Sequence, residues 1–357
     1  MTMPAALRDE ADVAEAVRSA RGPLRIRGGG TRGGAGAGMA VLGTAGLAGI
    51  TLYEPGALTL VVRAGTPLAE VERVLAAEGQ RLAFEPPDLR ALCGCEGVST
   101  IGGVVAANAS GPRRVQAGAC RDFLLGVRFV DGTGAVVKNG GRVMKNVTGY
   151  DLARLMAGSR GMLGVLTEVA LKVLPAPGAA ATVVLEGLDM AGAVAAMARG
   201  LATPWEVTGA AHWPGRGTFL RIEGFAEQVA YRGARLAGML GGRVEPGPGP
   251  WAAIRDAAPL AGWPGDVWRL HCKATEAPGL VARTAAGAVL MDWGGALVWL
   301  GVAPGLDLRA RLGAFAGHAT RVRGEGAAPA LPPEPPAVAA LSAGLRARFD
   351  PRGVFAG

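Results

Sequence analysis

Three glycine-rich segments, set apart by stretches with ordinary helix and strand signals, constrain this chain more than any other feature. They are IRGGGTRGGAG at 26–36, STIGGVVAANASGPRRVQAGACRD at 99–122, and KNVTGYDLARLMAGSRGMLGVLTEVALKVLP at 145–175. Glycine reaches backbone conformations closed to other residues and leaves no side chain in a ligand's path. Three such runs point to an extended cleft where backbone closely approaches something large. The chain has 58 glycines in 357 residues but no Gly-X-Y period, which excludes a collagen-like fibre. Half the residues are apolar, so a packed core is available and wholesale disorder is excluded. The length suits two domains.

In the first segment Gly28, Gly30 and Gly33 satisfy G-x-G-x-x-G, and Glu54 follows about 20 residues on, as a dinucleotide-binding Rossmann unit requires. The third glycine should then open a helix, but AGAGMAVLG follows, which is not helical. The alternatives are a concave nest of backbone N–H groups for phosphate oxygens, with Arg27, Thr31 and Arg32 adding charge and a hydroxyl, or an ordinary flexible loop. In the second segment Thr100, Gly102, Gly103, Asn108, Ser110 and Gly111 offer close backbone approach and short polar groups, suited to a wide, flat, polar-edged ligand. The competing reading is a tightly packed small-residue turn. In the third, Gly149, Gly158, Gly161 and Gly164 punctuate a helix and a strand.

Between these runs the periodicity predicts a helix over 9–21 capped by Asp9 and a strand over 57–65. A second helix has Thr66 as cap, Pro67 in its first turn and a Leu68–Val71–Leu75 face. A strand–turn–strand over 123–141 turns at Asp131–Gly132. EPPD at 85–88 reads as a rigid turn, and 88–120 carries little helix or strand signal. After 181 the order reads β-α-β-β-α twice, with a loop around 243–252, which implies an antiparallel sheet with helices on one face. LPPEPP at 331–336 is a stiff linker before a last helix over 337–348. The fold class is α+β, divided as 1–176, 177–330 and 331–357, the last segment returning to the first domain.

Lys plus Arg is 37 and Asp plus Glu 29, a net charge of +8. The arginines are scattered and no basic run interleaves with aromatics, so nucleic acid is not the expected partner. Cys93, Cys95, Cys120 and Cys272 match neither a zinc site nor an iron–sulfur ligand set and read as free thiols in a reducing cytoplasm. His212, His271 and His318 stand apart with no ligand spacing, so no metal is expected and each reads as structural. Trp213, Trp251, Trp263, Trp268, Trp293 and Trp299 all follow residue 177. Their density, with no catalytic cluster beside them, points to a partner-binding surface. No apolar run is long enough to cross a bilayer, so any membrane association is expected through partners.

Taken together, RGGGTRGGAG, TIGGVVAANASG and GSRGMLGVLTEVALKVLP, in that order and spacing, resemble the vanillyl-alcohol oxidase or PCMH-type FAD-binding family. EPPD, ASGPRR, GACRDFLLGVRFV, VMKNVTGYDLARLM and the terminal FDPRGVF narrow the resemblance to the FAD-binding E subunits of bacterial glycolate oxidases. It is dense over about 20–175 and weak over the second domain.

The resemblance implies a two-subdomain FAD domain followed by a smaller ferredoxin-like cap. It implies pyrophosphate on the backbone of Gly28, Gly29, Gly30 and Gly33. Thr100, Gly102, Gly103, Asn108, Ser110 and Gly111 would line the middle of the cofactor, Gly118 and Asp122 would follow, and Gly161, Gly164 and Val165 would lie beside the adenosine or ribityl portion. Arg113 or Arg114 is expected near the flavin ring, and FAD is expected to bind non-covalently because the phosphate loop has no His or Cys. The implied partners are a larger FAD-binding subunit that oxidises glycolate to glyoxylate and an iron–sulfur subunit, on the cytoplasmic side of the inner membrane. This chain's FAD would relay electrons or support assembly. The alternatives are a self-sufficient FAD dehydrogenase of D-lactate or another 2-hydroxy acid, a non-catalytic flavin-bound subunit and, more weakly, a Rossmann NAD enzyme.

Overall fold

The computed structural model describes residues 7–32, 39–142 and 149–356. The amino-terminal helix runs Glu10–Ser19. Asp9 caps it by accepting from Asp12 N, and Val13 and Val17 face inward. It packs beside a parallel pair of short strands, Leu24–Arg27 and Ala40–Gly43. A five-stranded antiparallel sheet follows, in the order Ile50–Glu54, Thr59–Arg63, Val165–Lys172, Leu124–Val130, Val136–Gly140. The helix Leu68–Ala77 covers it with Leu68, Val71 and Leu75. Thr66 does not cap that helix. Its hydroxyl bonds Arg63 O at 2.7 Å and accepts from Gly49 N at 2.9 Å, pinning the preceding turn instead. At Asp131–Gly132 the Asp131 carboxylate accepts from Thr133 N and Ala135 N, as the turn chemistry requires.

The second half forms one eight-stranded antiparallel sheet. Two complete β-α-β-β-α-β units build it. The first comprises strands Ala179–Leu185, Val207–Trp213, Gly217–Gly224 and Arg243–Pro246; the second comprises Asp266–Cys272, Ala288–Asp292, Leu297–Val302 and Gly317–Arg323. Within each unit the spatial order is fourth, first, third, second, and the two second strands meet at the bridge His212–Met291. The weak duplication in the sequence is therefore a structural repeat, and the stretch expected as a loop around 243–252 contributes an edge strand. Helices Met190–Leu201, Ala226–Leu240, Ala277–Ala282 and Leu308–Leu312 supply the second core, with Met197, Leu220, Leu236, Trp268 and Leu300 inside.

The sheet's other face turns toward the first half. Trp251, Trp293 and Trp299 are buried there with Leu92 of the first half. The expectation of a tryptophan-rich partner surface is thus corrected: these rings fill an intramolecular junction, and Trp268 lies in the core on the helical side. The last helix, Pro336–Phe349, returns to the first half, where Phe349 meets Phe129 with ring centroids 6.0 Å apart. Asp350 then accepts from Val354 N and Phe355 N, and Leu24 bonds Val354 and Ala356. This is the physical content of FDPRGVF.

Candidate functional site

The three glycine segments come together. Gly28 lies against Thr100, where an added Cβ would sit 2.6 Å from its hydroxyl, and a Cβ on Gly29 would strike Val98 O. Gly30 has φ +70° with the Arg27 guanidinium folded over it. Thr31 is buried, and Arg32 reaches Pro87 O at 3.3 Å. Gly33 lies outside the described residues. The second segment is more helical than its sequence suggests, with short helices Ile101–Ala106, capped by Thr100, and Arg114–Ala117. Small residues are required there because Gly102 touches Ala64 and Gly111 touches Glu85. The third segment closes the strip. Gly158 N donates to Val105 O, Arg160 N donates to Ala106 O, and Gly161 packs on Ile26.

Two hydroxyls missed by the sequence reading lie on this strip. Ser99 Oγ and Ser159 Oγ are buried with no hydrogen-bond partner among the described residues, a costly state for a polar group unless a ligand satisfies it. The tight glycine cradle, these two orphaned hydroxyls and the cations Arg32 and Arg160 fit a long cofactor carrying phosphates.

Other expected residues have structural duties. Asn108 adopts φ +47°, and its side chain accepts from Arg121 N; Ser110 Oγ accepts from Cys120 N. The Asp122 carboxylate accepts from Ala119 N at 2.8 Å and packs on Gly118. Gly164 presses on Phe129, and Val165 is fully buried in the core, so its side chain faces no cleft. Arg113 is corrected most sharply. It is ion-paired to Glu223 at 2.7 Å, so its charge is spent joining the two halves of the chain. Arg114 makes no ion pair among the described residues and lies 4.5 Å from the centre of the Trp293 ring.

The isolation of the histidines is also corrected. Strands Asp266–Cys272 and Gly317–Arg323 pair so that His271 faces His318 directly. The rings stack at 4.7 Å and 11°, and His271 meets Trp293 edge-on at 5.2 Å. Arg269, two residues before His271, projects from the same face of its strand and lies between Trp293 and Trp299 at 5.3 and 5.7 Å. Burial, then the charges of Arg114, Arg160 and Arg32, pull Arg269 down to about 10, so it remains a cation at neutral pH. Burial and the Arg269 charge hold His271 neutral, down to about 2, and lower His318. Asp292, buried beside them and accepting from Trp293 N, is pushed up to about 7 by burial. The signal was present in Val267-Trp268-Arg269-Leu270-His271: polar groups at alternate positions of an otherwise apolar strand share one face.

Residues 3–140 match the family model described as FAD binding domain. Glycolate oxidase subunit GlcE of Escherichia coli (strain K12) is 38% identical over 311 residues, 86% of this chain and 83% of that protein. Glycolate oxidase subunit GlcD of Bacillus subtilis (strain 168) is 37% identical over 120 residues, 34% of this chain and 24% of that one. D-lactate dehydrogenase of Anaerostipes hadrus is 46% identical over 101 residues, 28% of this chain and 20% of that one. Among solved structures, alkyldihydroxyacetonephosphate synthase superposes with a TM-score of 0.69 at 14% identity, covering 98% of this chain and 75% of the other. That is a likeness of fold alone.

Proposed function

The chain belongs to the FAD-binding flavoprotein family of glycolate oxidase subunit GlcE, and from that premise we propose that it is the FAD-bearing E subunit of a multi-subunit glycolate-oxidising complex. The observation that carries this reading is the convergence of the three glycine segments into one strip with two unsatisfied buried hydroxyls. In this reading the backbone from Gly28 to Gly33, with Arg27, Thr31 and Arg32, holds the pyrophosphate. Thr100, Gly103 and the Ser99 hydroxyl line the middle of the cofactor, and Ser159, Arg160 and Gly161 close its other side. When bound, FAD supplies a ring that takes up two electrons and passes them on. The chain's own task is to hold and orient that ring.

Non-covalent binding is supported by the thiols. Burial pushes Cys93 and Cys272 up to about 11 and Cys120 higher still, so none of these three is a ready nucleophile. No group of three or more His, Cys, Asp or Glu suited to a metal occurs among the described residues. In the same reading, cluster chemistry belongs to an iron–sulfur partner and glycolate oxidation to a larger flavin subunit of the GlcD kind. No helix among the described residues is long and apolar enough to cross a membrane. We place the protein on the cytoplasmic side, joined to the inner membrane through partners. The division into a FAD domain to 176, a cap to 330 and a returning tail belongs to the same reading.

The test is co-purification with the two partners, followed by glycolate-dependent flavin reduction with and without this chain. The chain alone should carry a flavin spectrum, and denaturation should release all of the flavin. Gly29→Ala, whose Cβ has no room at Val98 O, should lose FAD. If the complex then assembles without turnover, this FAD relays electrons; if turnover persists, the subunit serves assembly.

A further inference from the structure

The last helix, Pro336–Phe349, has no buried residue along its 14 positions. It is held at its two ends. Ahead of it, Arg309 donates to Pro329 O and Ala330 O at 2.8 and 2.7 Å, which ties the chain to the cap. At its close, Phe349 O accepts from Gly132 N at 2.7 Å and the Phe349 ring meets Phe129, which ties it to the first half. Between these ties its side chains bond to Glu334, which accepts from Ser342 at 2.9 Å and lies 3.7 Å from Arg346.

The rest of its surface is apolar and open. Val338, Leu341 and Leu345 stand 46, 71 and 37% exposed, and spacings of three and four put them on one side. Ala337, Ala340, Gly344 and Ala347 run beside them at the same spacings and are also exposed. A helix of this length is marginal in water without packing, and Gly344 in its interior costs about 1 kcal/mol against alanine. Single exposed leucines need no explanation, but a ridge flanked by a shelf of small residues does. Ridge and shelf fit a helix-lined groove, because small residues let a second backbone come close.

Charge selects what fills that place. The helix holds no acid and carries Arg346 and Arg348 in its last turn, while the chain as a whole has a net charge of +8. A second copy would bring the same excess of positive charge. A lipid surface suits it poorly, since the helix has no Lys, Trp or Tyr and its two cations sit together at one end instead of along both flanks. We infer that this helix is a docking surface for a protein partner with an apolar groove and acidic residues where the helix ends. The inference rests on the proposed complex, which supplies such partners, and adds which surface of this chain they hold. Because the helix is tied to the cap at one end and to the first half at the other, a partner seated on it grips both.

The test co-expresses the full chain with the larger flavin subunit and with the iron–sulfur subunit. Affinity, flavin content and melting temperature are measured for each sample. Leu341→Glu should weaken assembly by roughly tenfold or more and leave flavin content and melting temperature of the chain alone unchanged. Arg348→Glu should weaken it by roughly threefold to tenfold, more at low salt than at high salt, and decides the matter should Leu341→Glu fail to fold. Amide hydrogen exchange over 336–349 should be fast in the chain alone and slowed in the complex. Normal assembly of the folded variants, or exchange unaltered by assembly, overturns the docking surface and leaves the complex standing. A native chain that joins neither subunit sinks the complex reading and this surface with it. The inference is also overturned if the chain alone sediments as a dimer that Leu341→Glu dissolves. Flotation of the chain alone on vesicles of phosphatidylglycerol and phosphatidylethanolamine, abolished by Leu341→Glu, overturns it as well, because lipid would then be the cover.

Discussion

Two sets of arginines meet at the same junction and are treated in opposite ways. Arg81, Arg113 and Arg221 share Glu85 and Glu223. Glu223 accepts from Arg81 and from Arg113 at 2.7 Å each, and Glu85 accepts from Arg221 through both carboxylate oxygens, at 3.0 and 2.8 Å. Glu85 itself stands at φ +48° just before Pro86, a strained position for a non-glycine residue that persists only when its surroundings over-determine it. Arg32, Arg114, Arg160 and Arg269 make no salt bridge among the described residues. The same residue type joins the two halves where its charge is matched inside the chain and stands unmatched a short way off. Pairing therefore separates the two sets, whereas burial does not, because Arg32, Arg114 and Arg269 are half-buried as Arg81 and Arg113 are.

The largest expected effect breaks the joint. Glu223→Ala leaves Arg81, Arg113 and Arg221 short of an acid in a buried setting. Removing one partner of a buried pair costs about 3–5 kcal/mol, so urea unfolding should show a loss of that order. A loss below about 1 kcal/mol would mean that the network behaves like surface pairs and that the contrast between the two sets is empty.

Next comes the opposite sign. Arg269→Gln removes an unmatched, half-buried cation whose desolvation is costly. It gives up two cation–π contacts at 5.3 and 5.7 Å, each worth about 0.5–2 kcal/mol. Without ligand the variant should unfold no earlier than the native chain and gain about 1 kcal/mol. A clear destabilisation by Arg269→Gln would place this residue with the joint.

These two sets were not equally legible in the sequence. The glycine strip was, because backbone approach leaves its mark in consecutive small residues: RGGGTR and STIGGV announce themselves without a partner. The helix face Leu68–Val71–Leu75 and the strand–turn–strand at Asp131–Gly132 were legible for the same reason, since each is a local pattern. The arginine–histidine cluster was hidden because strand pairing makes it. His271 meets His318 only through the register of two strands far apart in the chain, and Arg114 meets Trp293 only once the sheet docks. Arg113 and Arg114 are adjacent and alike in sequence, yet one belongs to each set; helix direction at Arg114–Ala117 decides which way each points. Ser99 and Ser159 gave no signal either, since a serine's unmet hydroxyl is visible only in its packing.

A smaller effect is read by pH. Burial raises the folded-state value of Asp292 to about 7, against Arg221 and Arg269, which lower it, and Glu85, which raises it. The unfolded value is near 4. Between the two the folded state holds the extra proton, so this residue's contribution to stability falls as pH rises from about 4 to 7 and is level outside that window. His271 works the other way: neutral when folded, it favours unfolding as pH drops below about 6.5. The difference curve between the native chain and Asp292→Asn isolates the first effect. An identical stability profile in both proteins would show that Asp292 does not titrate in this window.

The smallest effect is the control that calibrates the rest. Arg243 pairs with Glu186 at 2.9 Å and with Glu245 on the outer strand of the cap sheet, all three well exposed. Exposed pairs gain little because water screens them and two long side chains must be held in place. Arg243→Gln should leave the unfolding midpoint and flavin content where they were. If it instead behaved like Glu223→Ala, losing an arginine pair anywhere in this charged chain would be costly, and the division into joint and site would have to be drawn on something other than pairing.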